Sequence, residues 1–146
     1  MSIQITGIDS LARKLNQLGG NSVECMKEGI QKTVLIIEGD AKDLCPVDNG
    51  DLRGSIQNKT EIQADEVIGT VYTNKEYAAY PEYGTGQRGL ESPSPPKAPI
   101  GDAYREDWAG MPAQPYMYPA LMQNKETAKE LCIEELNKEI RRLGGR

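Results

Sequence analysis

Few residues in this chain could carry covalent or metal chemistry. The 146 residues include no histidine, so a Ser-His-Asp or Cys-His nucleophile and a mixed His/Cys zinc site cannot be built. Cys25, Cys45 and Cys132 are odd in number and irregular in spacing, which suits small buried hydrophobes in a reducing compartment. The carboxylates are scattered over the polar faces of helical patterns, with no apolar pocket to raise one into a general acid. Gly84-Thr85-Gly86-Gln87-Arg88-Gly89 spells G-x-G-x-x-G. A dinucleotide cradle needs a buried strand before that motif and a helix opening from it; here Tyr80-Pro81-Glu82-Tyr83 precedes and a proline run follows. We therefore expect no catalytic residue, no cofactor, no metal ligand and no enzyme activity.

The chemistry that remains is that of contact. All eight aromatic residues, seven Tyr and one Trp, fall between Tyr72 and Tyr118, with eight of the nine prolines in nearly the same stretch. Tyr and Trp serve equally to fill a small core or to anchor an interface, and the sequence leaves both open. The candidates for a subunit or partner interface are Tyr77, Tyr80, Tyr83, Arg88, Leu90, Tyr104, Arg105, Trp108 and Tyr116. A formal charge of −5 lacks the clustered cations that grip phosphates, so specific DNA binding is not expected. No apolar run approaches the roughly 18 residues of a membrane span, and no basic-then-apolar leader opens the chain, so assembly in a cytoplasm and no membrane partner are expected.

The elements that must position these residues turn on one stretch, Cys45-Pro46-Val47-Asp48-Asn49-Gly50-Asp51-Leu52-Arg53. Upstream, Val23, Met26, Ile30, Val34, Ile37, Ala41 and Leu44 recur at steps of three and four, the stripe of a long helix from Ser22. Pro46 ends that helix at about Leu44. Pro46, Asp48, Gly50, Asp51 and Arg53 form a structural elbow, with Gly50 at positive φ and Arg53 within reach of acids of the elbow and of Glu61. Beyond it, Leu52–Ile62 and Val67–Thr73 read as an antiparallel hairpin whose Ile56, Val67, Gly69 and Val71 pack on the helix stripe. Ser2–Thr6 alternates like a short strand, and Leu11, Leu15 and Leu18 stripe a short helix capped by Asp9 or Ser10. Glu76–Tyr83 is a turn or two of helix, and residues 84–110 form a long loop. Pro119 opens a last helical segment, whose apolar face is Ala128, Leu131, Cys132, Leu136, Ile140 and Leu143. The expected class is α+β: a small antiparallel sheet on a long helix of the N-terminal half, a C-terminal helix and a Pro/Tyr-rich loop. Residues 1–146 are expected as one domain, with 84–110 an extended loop or arm.

Three ordered blocks resemble a known family. Residues 41–56, Ala-Lys-Asp-Leu-Cys-Pro-Val-Asp-Asn-Gly-Asp-Leu-Arg-Gly-Ser-Ile, are similar to the A-x-x-x-x-P-V-D-T-G-x-L-R-x-S-I segment of phage head–tail joining and tail-completion proteins. Gly69-Thr70-Val71-Tyr72-Thr73-Asn74 and Tyr77-Ala78-Ala79-Tyr80-Pro81-Glu82-Tyr83-Gly84-Thr85-Gly86 resemble its G-x-V-x-T-N and Y-A-x-Y-V-E-F-G-T-G blocks. Pro115-Tyr116-Met117-Tyr118-Pro119-Ala120-Leu121 resembles its P-F-x-x-P-A-L block. Asn49 stands where Thr is common, Tyr83 and Tyr116 where Phe is, and Pro81 where an aliphatic is. The resemblance implies a structural virion protein of the neck of siphovirus-like phages. Such a protein forms a ring, sixfold by resemblance, that joins the head connector to the tail tube and lets genomic DNA pass. Its partners would be copies of itself, a head connector or stopper, and a tail terminator or tail tube protein. A tail terminator, or a non-enzymatic regulatory module of a prophage, is the alternative.

Overall fold

The computed structural model describes residues 3–47, 50–93, 97–98 and 104–144. Its elements, in order, are α1 (Asp9–Gln17), α2 (Ser22–Leu44), α3 (Asp51–Ser55), β1 (Gln57–Gln63), β2 (Glu66–Tyr72), a 3₁₀ turn (Glu76–Ala78), α4 (Ala79–Tyr83), α5 (Gly86–Glu91), α6 (Met117–Gln123) and α7 (Lys125–Gly144). This is an α+β fold with a two-stranded antiparallel sheet, a long helix in the N-terminal half and a C-terminal helix. Two compact units make up the chain.

The helix–hairpin unit comprises Ser2–Ile37, Asn58–Val71 and Gln123–Arg146. Its long helix starts where Asn21 Oδ1 accepts the N–H groups of Val23 (3.1 Å) and Glu24 (3.3 Å), donors that have no partner inside a helix. Leu15 and Leu136 are fully buried with Ile8, and Ile5, Leu11, Met26, Ile133, Ile140 and Leu143 close round them. The periodic stripe of α7 thus buries as its spacing dictates, whereas that of α1 buries only at Leu11 and Leu15: Leu18, just past the helix end, is exposed. Val34 is buried, and a Cβ on Gly69 of β2 would lie 2.5 Å from its Cγ1 and 2.6 Å from Ile30 Cγ2, so the hairpin lies directly on α2. At Gly29 a Cβ would come within 2.9 Å of Cys132 Cα. The missing side chain lets α2 and α7 approach to backbone contact there. The short strand expected over Ser2–Thr6 does not form at residues 3–6, and among the described residues the sheet has two strands.

The elbow unit comprises Glu38–Gln57 and Tyr72–Met122. Ala41, Cys45, Leu52, Ile56, Tyr116 and Ala120 are its buried apolar residues. Leu44, expected on the buried stripe, is exposed, and Cys45 takes its place four residues after Ala41. Gly50 has φ +81°, as a turn there requires, and starts α3 by accepting the Gly54 N–H at 2.9 Å. The segment from Leu52 to Ser55 is therefore a helical turn and not the start of a strand. Leu52 and Ile56 are buried four residues apart, which is helix spacing. Ser55 Oγ donates to Leu52 O (2.6 Å) and meets Thr73 Oγ1, fastening the elbow to the chain that leaves the hairpin. Arg53 reaches Asp43 of α2 at 3.7 Å, while Glu61 pairs with Lys59 instead. Pro46 lies just past the helix end, as expected, and Asp48 and Asn49 lie outside the described residues.

Candidate assembly surface

The residues singled out for contact are carried by the 3₁₀ turn, α4, α5 and the segment returning to α6, all in the elbow unit. What holds them in place is mostly main chain. Thr85 and Met111 exchange both N–H···O bonds, at 2.9 and 3.1 Å, as an isolated antiparallel bridge. The first-turn N–H groups of Gln87 and Arg88, orphans of α5, are taken up by the carbonyls of Trp108 and Ala109, each at 2.9 Å. Ser92 Oγ donates to Arg88 O and accepts the Ala113 N–H, both at 2.9 Å. The Lys97 ammonium donates to the carbonyls of Gly89, Leu90 and Ser92, a cation at the negative end of α5.

This crossing explains the G-x-G-x-x-G string. A Cβ on Gly86 would lie 2.5 Å from Trp108 O, and one on Gly110 2.0 Å from Thr85 O; Gly110 also has φ +69°. The glycines are where two backbones touch, and the space a phosphate would need is filled by protein. Residues 84–110 are consequently not one extended arm. Their base, 84–92 and 104–110, is bonded into the elbow unit, while 94–96 and 99–103 lie outside the described residues.

A residue the sequence reading passed over organises this unit. Glu82 is buried, and its carboxylate accepts three main-chain N–H groups: Tyr116 (2.8 Å) and Met117 (2.9 Å) on Oε2, and Tyr118 (2.8 Å) on Oε1. Those are the first donors of α6, and the fourth position is Pro119, which has none. Every orphan donor of that helix start is accounted for by one side chain and one proline. The negative charge also sits where the helix dipole favours it. The signal lay in two separate blocks, Pro81-Glu82-Tyr83 and Tyr116-Met117-Tyr118-Pro119, whose contact no local spacing discloses.

The nominated residues separate by exposure. Tyr80 is 56% exposed, Leu90 and Trp108 53%, and Tyr77 40%; Arg88 is also exposed. Tyr116 is 1% exposed and is a core residue, which removes it from any free surface. Its hydroxyl donates to Ala78 O (2.8 Å), and burial followed by the Glu82 charge pushes its ionisation well above the usual phenol range. Tyr83 is half-buried. Tyr104 is half-buried too, its hydroxyl donating to Tyr83 O (3.1 Å) and accepting from Ala98 N (2.8 Å), so it braces the loop. Arg105 forms a two-pronged pair with Asp107, at 3.0 and 2.7 Å.

Elsewhere the titratable groups do structural work. An open groove of the helix–hairpin unit carries Glu24, Cys25, Glu28, Lys32, Glu135 and Glu139. Burial, then the charges of Glu139 and Glu135, raises the Cys25 thiol, which is the wrong direction for a nucleophile. Among the described residues no three His, Cys, Asp or Glu side chains converge as metal ligands, and no helix is long and apolar enough to cross a membrane.

No curated protein and no solved structure matches the chain. One family does, over residues 9–84: that described as "Bacteriophage HK97-gp10, putative tail-component". The matched stretch holds α1, α2, the elbow, the hairpin and Glu82; the α6 start that Glu82 caps lies beyond it. With a fold whose buried charge serves a helix cap and whose glycine motif serves a backbone crossing, the chain belongs to the HK97-gp10-like family of phage tail components.

Proposed function

We propose that this tail component acts at the neck of the virion, as a ring of copies that joins the head connector to the tail tube and lets DNA pass without gripping it. Tyr77, Tyr80, Leu90 and Trp108, with Arg88 beside them, are its anchors to a neighbouring copy or to the adjoining neck protein. The observation that carries this reading is their exposure on elements fixed by main-chain bonds. Large aromatic side chains held in place without a core to fill are what interface hot spots are made of. The role is non-enzymatic and structural. The excess of acids also supports it, since a wall of like charge lets the genome slide.

The test is complementation of a phage lacking the gene with Tyr80→Ser/Trp108→Ser protein. Because both side chains are solvated, the variant should melt within a few degrees of wild type. Filled heads and free tails should nevertheless accumulate unjoined. Normal infectious particles would place the anchors elsewhere.

A further inference from the structure

Among the described residues the sheet stops at two strands, β1 and β2, each seven residues long, so each is also an edge. Edges of this length add foreign strands unless something closes them. The two-residue turn Ala64-Asp65 between equal strands sets Thr60 opposite Gly69, on the face that lies against Val34 and Ile30 of α2. Thr60 Oγ1 is buried and has no hydrogen-bond partner among the described residues. Buried hydroxyls are ordinarily bonded, so this one needs an explanation. On the opposite face, Lys59 and Glu61 point the same way, their charges 3.2 Å apart and both side chains well solvated.

The sequence of β1, Gln57-Asn58-Lys59-Thr60-Glu61-Ile62-Gln63, is complementary in charge to itself when reversed, with Asn58 falling opposite Ile62. An antiparallel second copy centred on Thr60 would place Lys59 opposite Glu61, Glu61 opposite Lys59 and Gln57 opposite Gln63. Thr60 would then face Thr60 across the two-fold axis, where two hydroxyls can bond each other. Opposite charges and Thr–Thr bonds are the cross-strand pairs that stabilise a sheet. Shifting the register by two residues would put Lys59 opposite itself. The edge of β2 has no such match, since Gly69 stands at its centre and Glu66 would face Tyr72.

We propose that β1 is the edge by which two free copies of this chain pair, antiparallel about Thr60, into a closed dimer. A two-fold contact uses the same patch on both partners and cannot propagate. It therefore gives the free protein an alternative to open-ended strand addition, and it does not depend on the neck reading above.

Sedimentation of the isolated protein over roughly 1–200 µM should show a reversible dimer of the 16.1 kDa chain, weakened by salt. Lys59→Glu and Glu61→Lys each set like charges face to face and should each raise the dissociation constant by about tenfold or more. The double swap Lys59→Glu/Glu61→Lys should bring it back to within about a factor of three of wild type, a rescue that misfolding cannot imitate. Thr60→Val should weaken the dimer without lowering the melting temperature of the monomer. A protein that stays monomeric overturns the proposal. So does association, as dimer or ring, that ignores the single reversals, or a swap that melts normally and fails to restore pairing.

Discussion

The helix–hairpin unit and the elbow unit are held by different means. In the first, apart from the close approach at Gly29, side chains at helical spacing interlock: Leu15 against Leu136 with Ile133 and Ile140 around them, and Val34 beneath Gly69. In the second, backbone meets backbone at Gly86 and Gly110, and a buried carboxylate organises a helix start. A side-chain core tolerates repacking at a cost of about 1–3 kcal/mol. A crossing of two main chains has nowhere to move, so the elbow unit should be the more brittle.

The largest effect is expected at Gly110. In Gly110→Ala the new methyl collides with Thr85 O in a conformation that L-residues resist, and the loss should exceed about 4 kcal/mol. Urea titration followed through the single Trp108 should show that region open before the helices do. A variant melting like wild type would mean the crossing is loose. Glu82→Ala comes next, at about 2–4 kcal/mol, since three N–H groups lose their acceptor in the interior. Glu82→Gln, which keeps one carbonyl oxygen, should cost less, and equal losses for the two would show that charge and not bonding is what matters.

How much of this was legible follows the same division. Periodicity found α2 and α7, and Gly50 was found from turn chemistry, because those signals are local and each residue acts through its neighbours in sequence. The spacing of Leu52 and Ile56 was also local, but the alternation of the hairpin beyond it was the stronger pattern and claimed them for a strand. Glu82 and the glycine crossing were not legible, because their partners lie more than twenty residues away and have no side-chain signature. The aromatic cluster pointed to the right region. It could not tell Tyr116, in the core, from Tyr80, in solvent.

Two glycines of α2 sharpen the comparison at smaller amplitude. Gly39 has nothing within 4 Å of an added Cβ, whereas Gly29 meets Cys132 at 2.9 Å. Gly39→Ala should therefore stabilise by about 0.5–1 kcal/mol through helix propensity. Gly29→Ala should destabilise by about 1–3 kcal/mol by forcing α7 away. Thermal melts of the pair decide it, and the same sign for both would contradict the packing described. A smaller effect concerns pH. Burial, aided by the Glu135 charge, raises the Cys132 thiol from an ordinary 9.0 to about 11. The folded state then favours the neutral thiol, so that contribution is complete below about pH 9 and is lost as pH rises toward 11. The melting temperature should fall across that window in wild type and less steeply in Cys132→Ala.

The claim that matters most is that Tyr77, Tyr80, Leu90 and Trp108 are solvent-exposed only in the free chain. Cryo-electron microscopy of the head–tail junction of intact virions measures this directly. The account predicts a ring of this chain at the neck with those four side chains buried against a neighbouring copy or the adjoining neck protein. A junction without the chain, or a ring in which they still face solvent, would contradict it.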